Sequence, residues 1–108
     1  MDIINGCDKF IQMVKDEKYA QAHETLEEIW KELKKTDKQH SLILKGFING
    51  ATSFEIKRRG RPLSSALKIW SVYEKYKPLI IKLNTPYTSK YLECSDVLEK
   101  TYQKVFKS

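Results

Sequence analysis

A histidine and a carboxylate one helical turn apart, His23 and Glu27, are the residues of this 108-residue chain best placed to do chemistry. On one face of a helix their Cβ atoms would stand about 5 to 6 Å apart, close enough to share a proton or to offer two ligands to one metal ion. In a His-Glu-x-x-His helix two imidazoles bind zinc and the Glu acts as base; here Glu27 stands where the second imidazole would be. With Glu55 as a further carboxylate, a divalent metal between helices is one reading, in the manner of carboxylate-bridged bundles. The Glu-x-x-His spacing repeated in such bundles is absent, and the other histidine, His40, lies far along the chain. A hydrolase would use the pair as acid and base, but no Ser or Cys motif accompanies it. The third reading is structural: His23, Glu27 and Asn49 form a hydrogen-bonded network that sets the register of two helices, while Trp30 fills the core.

The pair needs a helix to present it, and the pattern supplies one from Tyr19 to about Lys35. Ala22, Leu26, Ile29, Trp30 and Leu33 fall on one stripe at 100° per residue, with His23 at its edge and Glu27 one step further out. Apolar residues recur at three and four elsewhere too, and no stretch alternates like a half-buried strand. The chain therefore reads as all-α: a single domain over 1–108, a compact bundle of about five helices. The first spans about Ile3 to Lys15, the third Lys38 to Arg59, the fourth Pro62 to Leu83 and the fifth Ser89 to Phe106. Thr36-Asp37 supplies side-chain oxygens of the kind that cap the third helix.

Leu42, Ile43, Leu44, Phe47, Ile48, Ala51, Phe54 and Ile56 cover most of the third helix, which predicts a buried central element. Gly46 and Gly50 each cost about 1 kcal/mol against Ala inside it, a loss offset where another helix packs over the missing side chain. Gly60 is expected at positive φ just past its end, with Pro62 opening the next helix. Pro78, inside the fourth apolar pattern, should kink that helix or divide it. Trp30, on the apolar stripe, is expected in the core, where Trp30→Ala would cost about 3 to 5 kcal/mol.

The net charge of +6 is uneven: residues 1–36 carry six Lys against eight acids, and residues 37–86 carry ten Lys or Arg against three. Lys57, Arg58, Arg59 and Arg61 make the sharpest basic surface. No binding module or aromatic-interleaved stripe accompanies it, which argues against nucleic acid as the partner; cations at a helix C-terminus also complement its dipole. No run approaches the roughly 18 apolar residues of a membrane span. Cys7 and Cys94 have no metal-ligand spacing and no apolar leader precedes Cys7, so a cytoplasmic protein with reduced, half-buried thiols is expected; a disulfide is open to them only if the terminal helices touch.

His23-Glu24-x-Leu26-Glu27-x-x-Trp30, then Leu44-Lys45-Gly46-Phe47-Ile48-Asn49-Gly50-Ala51 and Arg59-Gly60-Arg61-Pro62, resemble the domain-of-unknown-function 309 family over roughly residues 5 to 80. Where Gln is common in that family this chain has Asn49, and where members often place a His it has Glu55-Ile56. The resemblance implies a small all-helical domain and a set of positions, and no reaction. The function expected is a non-catalytic binding or scaffold module with a polar cluster of His23, Glu27, Trp30, Asn49 and Glu55 between the second and third helices. Its partner would be another protein or a second copy, and no cofactor is called for. The competing expectation is a protein that binds a divalent metal or small ligand, or a hydrolase-type enzyme, through His23 and Glu27.

Overall fold

The chain folds into α1 (Ile3–Lys15), α2 (Tyr19–Thr36), α3 (Lys38–Arg58), α4 (Leu63–Tyr76), α5 (Leu79–Leu83) and α6 (Thr88–Phe106), in a computed structural model that describes residues 2–107. Five helices are long, and α5 is the stub cut from the fourth. Pro78 makes the division, because it has no N–H to continue the ladder and its ring crowds the preceding turn. The Lys77 N–H closes α4 on Tyr73 O at 2.9 Å, and α5 ends at Asn84, where φ is 45°.

The caps follow the local chemistry. Asp37 accepts from the His40 N–H at 3.2 Å and starts α3; Asp2 does the same for α1 through the Asn5 N–H at 2.9 Å. Gly60 takes φ 79° beyond α3, donating to Lys57 O at 3.1 Å while Arg61 N–H reaches Ile56 O at 3.3 Å, so the last carbonyls are satisfied by reverse bonds. The end of α1 repeats this motif with a non-glycine, Glu17, at φ 60°. Its carboxylate pairs with Lys104 at 3.1 Å and its carbonyl accepts from Arg58 at 2.6 Å, contacts that hold it in the left-handed region.

The central element is α3, packed against α2, α4, α5 and α6. A Cβ at Gly46 would lie 3.5 Å from Tyr73 Cα and 3.4 Å from Tyr76 Cβ; one at Gly50 would lie 3.2 Å from a Leu98 methyl. At Gly50 a methyl would press on Leu98, whereas at Gly46 it would only touch α4, and it is a longer side chain that the nearby Tyr73 backbone leaves no room for. Around α3 the core is aromatic. Phe47 meets Phe10, Tyr73 and Tyr91, and Phe54 meets Tyr19, Trp70 and Phe106, with ring centroids 5.3 to 6.4 Å apart.

The terminal helices do touch. Asp8 pairs with Lys90 at 2.7 Å and Glu17 with Lys104 at 3.1 Å, so α1 and α6 run parallel. Cys7 and Cys94 face each other between them as free thiols, each 0% exposed, which corrects the expectation of half-buried cysteines. Their mutual hydrogen bond and then burial push the Cys94 thiol far above its ordinary range. His40 is also buried, its Nε2 2.5 Å from the Tyr91 hydroxyl, because the start of α3 lies under α6.

Two outcomes follow from this packing. A Cβ at Gly60 meets nothing within 4 Å, so Gly60→Ala isolates the backbone cost: urea unfolding should lose about 1 kcal/mol at unchanged m-value, and an unaltered midpoint would contradict the left-handed cap. Burial, opposed by Asp37, holds His40 below its ordinary value of 6.5. The unfolded chain then takes the proton first. Stability present above about 6.5 should fall as pH drops through the folded value and then level off, and His40→Gln should flatten that step in urea titrations.

Candidate functional site

The turn at Asp37 folds α2 back along α3, and between them His23, Glu27 and Trp30 face Lys45, Ile48 and Asn49 across a cleft of about 130 Å³. His23 Nε2 lies 3.2 Å from Glu27 Oε2, with the two side chains 38% and 36% exposed, so the pair is at the surface and not inside a sealed network. Glu27 Oε1 is 3.6 Å from Lys31, which also reaches Glu28 at 3.6 Å. Among the described residues no protein group bonds His23 Nδ1. Asn49 does not cross to His23: its Nδ2 donates to Lys45 O at 2.8 Å, one turn back on its own helix.

Trp30 departs from expectation. It is part-buried at the edge of the core and forms one wall of the cleft, with Lys34 Nζ 4.9 Å from the ring centroid. The fully apolar face of α2 is made by Tyr19, Ala22, Leu26, Ile29 and Leu33, and Trp30, rotated 100° beyond Ile29, falls at its margin. The buried tryptophan of this protein is Trp70, 4% exposed between Phe54, Tyr73 and Tyr102.

Glu55 is not part of the cluster. Six residues past Asn49 is about 9 Å along the helix and some 120° around it, which turns the two away from each other. Glu55 is instead clamped by Arg58 at 2.6 Å and Arg59 at 2.9 Å. Burial pushes its carboxyl up, but the hydrogen bonds and charges of the two guanidinium groups outweigh this and hold it below the ordinary carboxylate value. The same contacts occupy the basic surface: Arg58 also packs 4.8 Å from the centre of the Tyr19 ring, and among the described residues Lys57 and Arg61 are its cations without an ion-pair partner.

Chemically the cleft offers an imidazole, a carboxylate, an ammonium and an amide around an indole. None of its lining residues carries a hydroxyl or thiol. Among the described residues no three His, Cys, Asp or Glu side chains gather as a metal ion would need, so His23 and Glu27 would supply two ligands with Glu55 elsewhere.

Lys45 and Ile48 also line the cleft; in the sequence one reads as a surface lysine and the other as part of the apolar surface of the third helix. A second polar cluster was missed altogether. Tyr73, Ser95, Glu99 and Lys77 meet between α4 and α6, and separations of 22 and 26 residues leave no local spacing to read.

A family model described as "Domain of unknown function (DUF309)" matches residues 7–67, from within α1 to the second turn of α4. The α2–α3 cleft lies inside that span, and α6 outside it. No curated protein and no solved structure matches the chain.

The position of Trp30 changes what its removal should do. Trp30→Ala should cost about 2 kcal/mol in urea unfolding, below the 3 to 5 typical of an enclosed tryptophan, with the cooperative transition retained. A loss of about 4 kcal/mol would return Trp30 to the core.

Proposed function

Because the chain belongs to the DUF309 family, whose description assigns no activity, we propose its role from the α2–α3 cleft: a non-catalytic binding module that seats one apolar side chain of a protein partner. The anchor would lie between Trp30 and Ile48, with His23, Glu27, Lys45 and Asn49 as a polar rim.

The observation that carries this reading is the size of the cleft beside a part-exposed tryptophan. At about 130 Å³ it is well below the roughly 300 to 1,000 Å³ of sites for free small molecules, and suits one side chain. Tryptophan is among the residues that dominate binding energy when a partner covers them. His23 with its open Nδ1, and the Lys45 ammonium, give the rim donors or acceptors for the backbone flanking the anchor. A buried network that only set helix register would have its polar groups closed on one another, whereas here they are half exposed.

Peptides selected from a displayed random library against the folded protein test this. Selected sequences should share one large apolar residue, and Trp30→Ala should weaken them by at least about thirtyfold, the factor expected for a 2 kcal/mol hot spot. His23→Gln should weaken them less and leave the melting temperature nearly unchanged. Peptides that bind both variants as tightly as the native protein would place the binding surface elsewhere.

A further inference from the structure

A second cleft, of about 340 Å³, opens between α4 and α6, with Trp70, Tyr73, Glu74 and Lys77 on one side and Glu99, Tyr102 and Gln103 on the other. It is large enough for a small molecule. The two helices meet here through long side chains, Tyr73 and Lys77 reaching Glu99 and Trp70 stacking on Tyr102.

Its floor is a built polar cluster. Glu99 Oε2 accepts from the Tyr73 hydroxyl at 2.5 Å and from Ser95 Oγ at 3.2 Å, and carries the Lys77 ammonium as well. Tyr73 and Ser95 are 1% and 4% exposed. All these contacts fall on one oxygen; among the described residues Oε1 has no partner. Burial raises the Glu99 carboxyl, but the Lys77 and Tyr73 hydrogen bonds outweigh it and keep the group ionised. Burial likewise raises Tyr73, which stays a donor.

The rim and walls set the complementary chemistry. Glu74 adds a second carboxylate with no ion-pair partner among the described residues, so the lining carries two negative charges against one positive. Trp70 and Tyr102 stack with centroids 4.6 Å apart and form an aromatic wall. Lys107 Nζ lies 5.9 Å from the Tyr102 centroid, a cation already drawn to that ring. Hard metal ions want six or more oxygen ligands, which this lining does not gather, and an anion would meet the excess carboxylate.

We propose that the α4–α6 cleft binds a small organic cation: a primary ammonium on a short apolar body, its charge on Glu99 Oε1 and Glu74 and its body along Tyr102 and Trp70. Lys77 shows the fit, since its own ammonium sits on the other oxygen of Glu99. The cation could be a free amine or a lysine side chain presented by another protein.

Two-dimensional NMR titration of the full chain tests the proposal, with butylammonium chloride and with N-acetyl-lysinamide, each against sodium chloride at equal ionic strength. The Trp70 indole N–H and the Gln103 side-chain amide should shift and saturate, at about millimolar affinity. Glu99→Gln should weaken binding about tenfold through loss of the charge-assisted contact. Since that change also loosens Tyr73 and Lys77, the exposed Glu74→Gln is the second variant, expected to weaken binding about threefold at unchanged melting temperature. Saturation by butylammonium alone assigns a free amine, and saturation by both assigns a protein lysine. Shifts that stay linear, that sodium chloride reproduces, or that both variants retain at native strength overturn the proposal.

Discussion

Close approach of helices over the two glycines of α3 is the constraint on which the remaining structure depends. With no side chain at Gly46, the α4 backbone comes to 3.5 Å from where a Cβ would stand, and that contact places Tyr73 and Trp70 against Phe47 and Phe54. Gly50 does the same for α6 through Leu98, 3.2 Å from its missing Cβ. The helix-propensity cost of two interior glycines is set against close packing that is tight at Gly50 and ordinary contact at Gly46. Both clefts inherit their geometry from this arrangement: α3 turns Lys45, Ile48 and Asn49 toward α2, and on its other side holds α4 and α6 at the separation that leaves the second cleft between them.

Buried polar side chains are closed on partners throughout the described residues. Ser41 and Ser53 are buried but donate to carbonyls of their own helix, and among the described residues no buried side-chain nitrogen or oxygen lacks a hydrogen-bond partner. Arg58 and Arg59 close on Glu55, and Lys90 on Asp8 and Glu93. Such exposed pairs contribute little to stability, but they consume charge that the sequence displays as a basic patch. Among the described residues His23 Nδ1 and Glu99 Oε1 have no protein partner, and each lies beside an aromatic wall. One cleft is small with a mixed-charge rim and the other larger with a negative one, so they suit different occupants.

Much of this was legible beforehand, and the reasons differ from element to element. Helix spans, the buried third helix, the cap at Asp37, the left-handed Gly60 and the break at Pro78 depend on periodicity and on backbone rules that act within a few residues. Trp30 is not legible from its stripe, because a position at the margin is sealed or open according to the neighbouring helix, which the stripe does not name. Glu55 shares a helix with Asn49, but 120° of rotation separates them.

The sequence by itself determined that this is an all-α chain with α3 at its centre, since hydrophobic pattern, glycine and proline placement carry that information locally. It also put His23 beside Glu27, a spacing of one turn that any helix would honour. Only the tertiary structure decided which groups meet across helices: Cys7 with Cys94, His40 with Tyr91, and Tyr73 with Ser95 and Glu99. Those meetings join residues 22 to 87 positions apart, and they depend on the angles and separations at which whole helices pack, quantities that arise from summed side-chain volume and that no local spacing encodes.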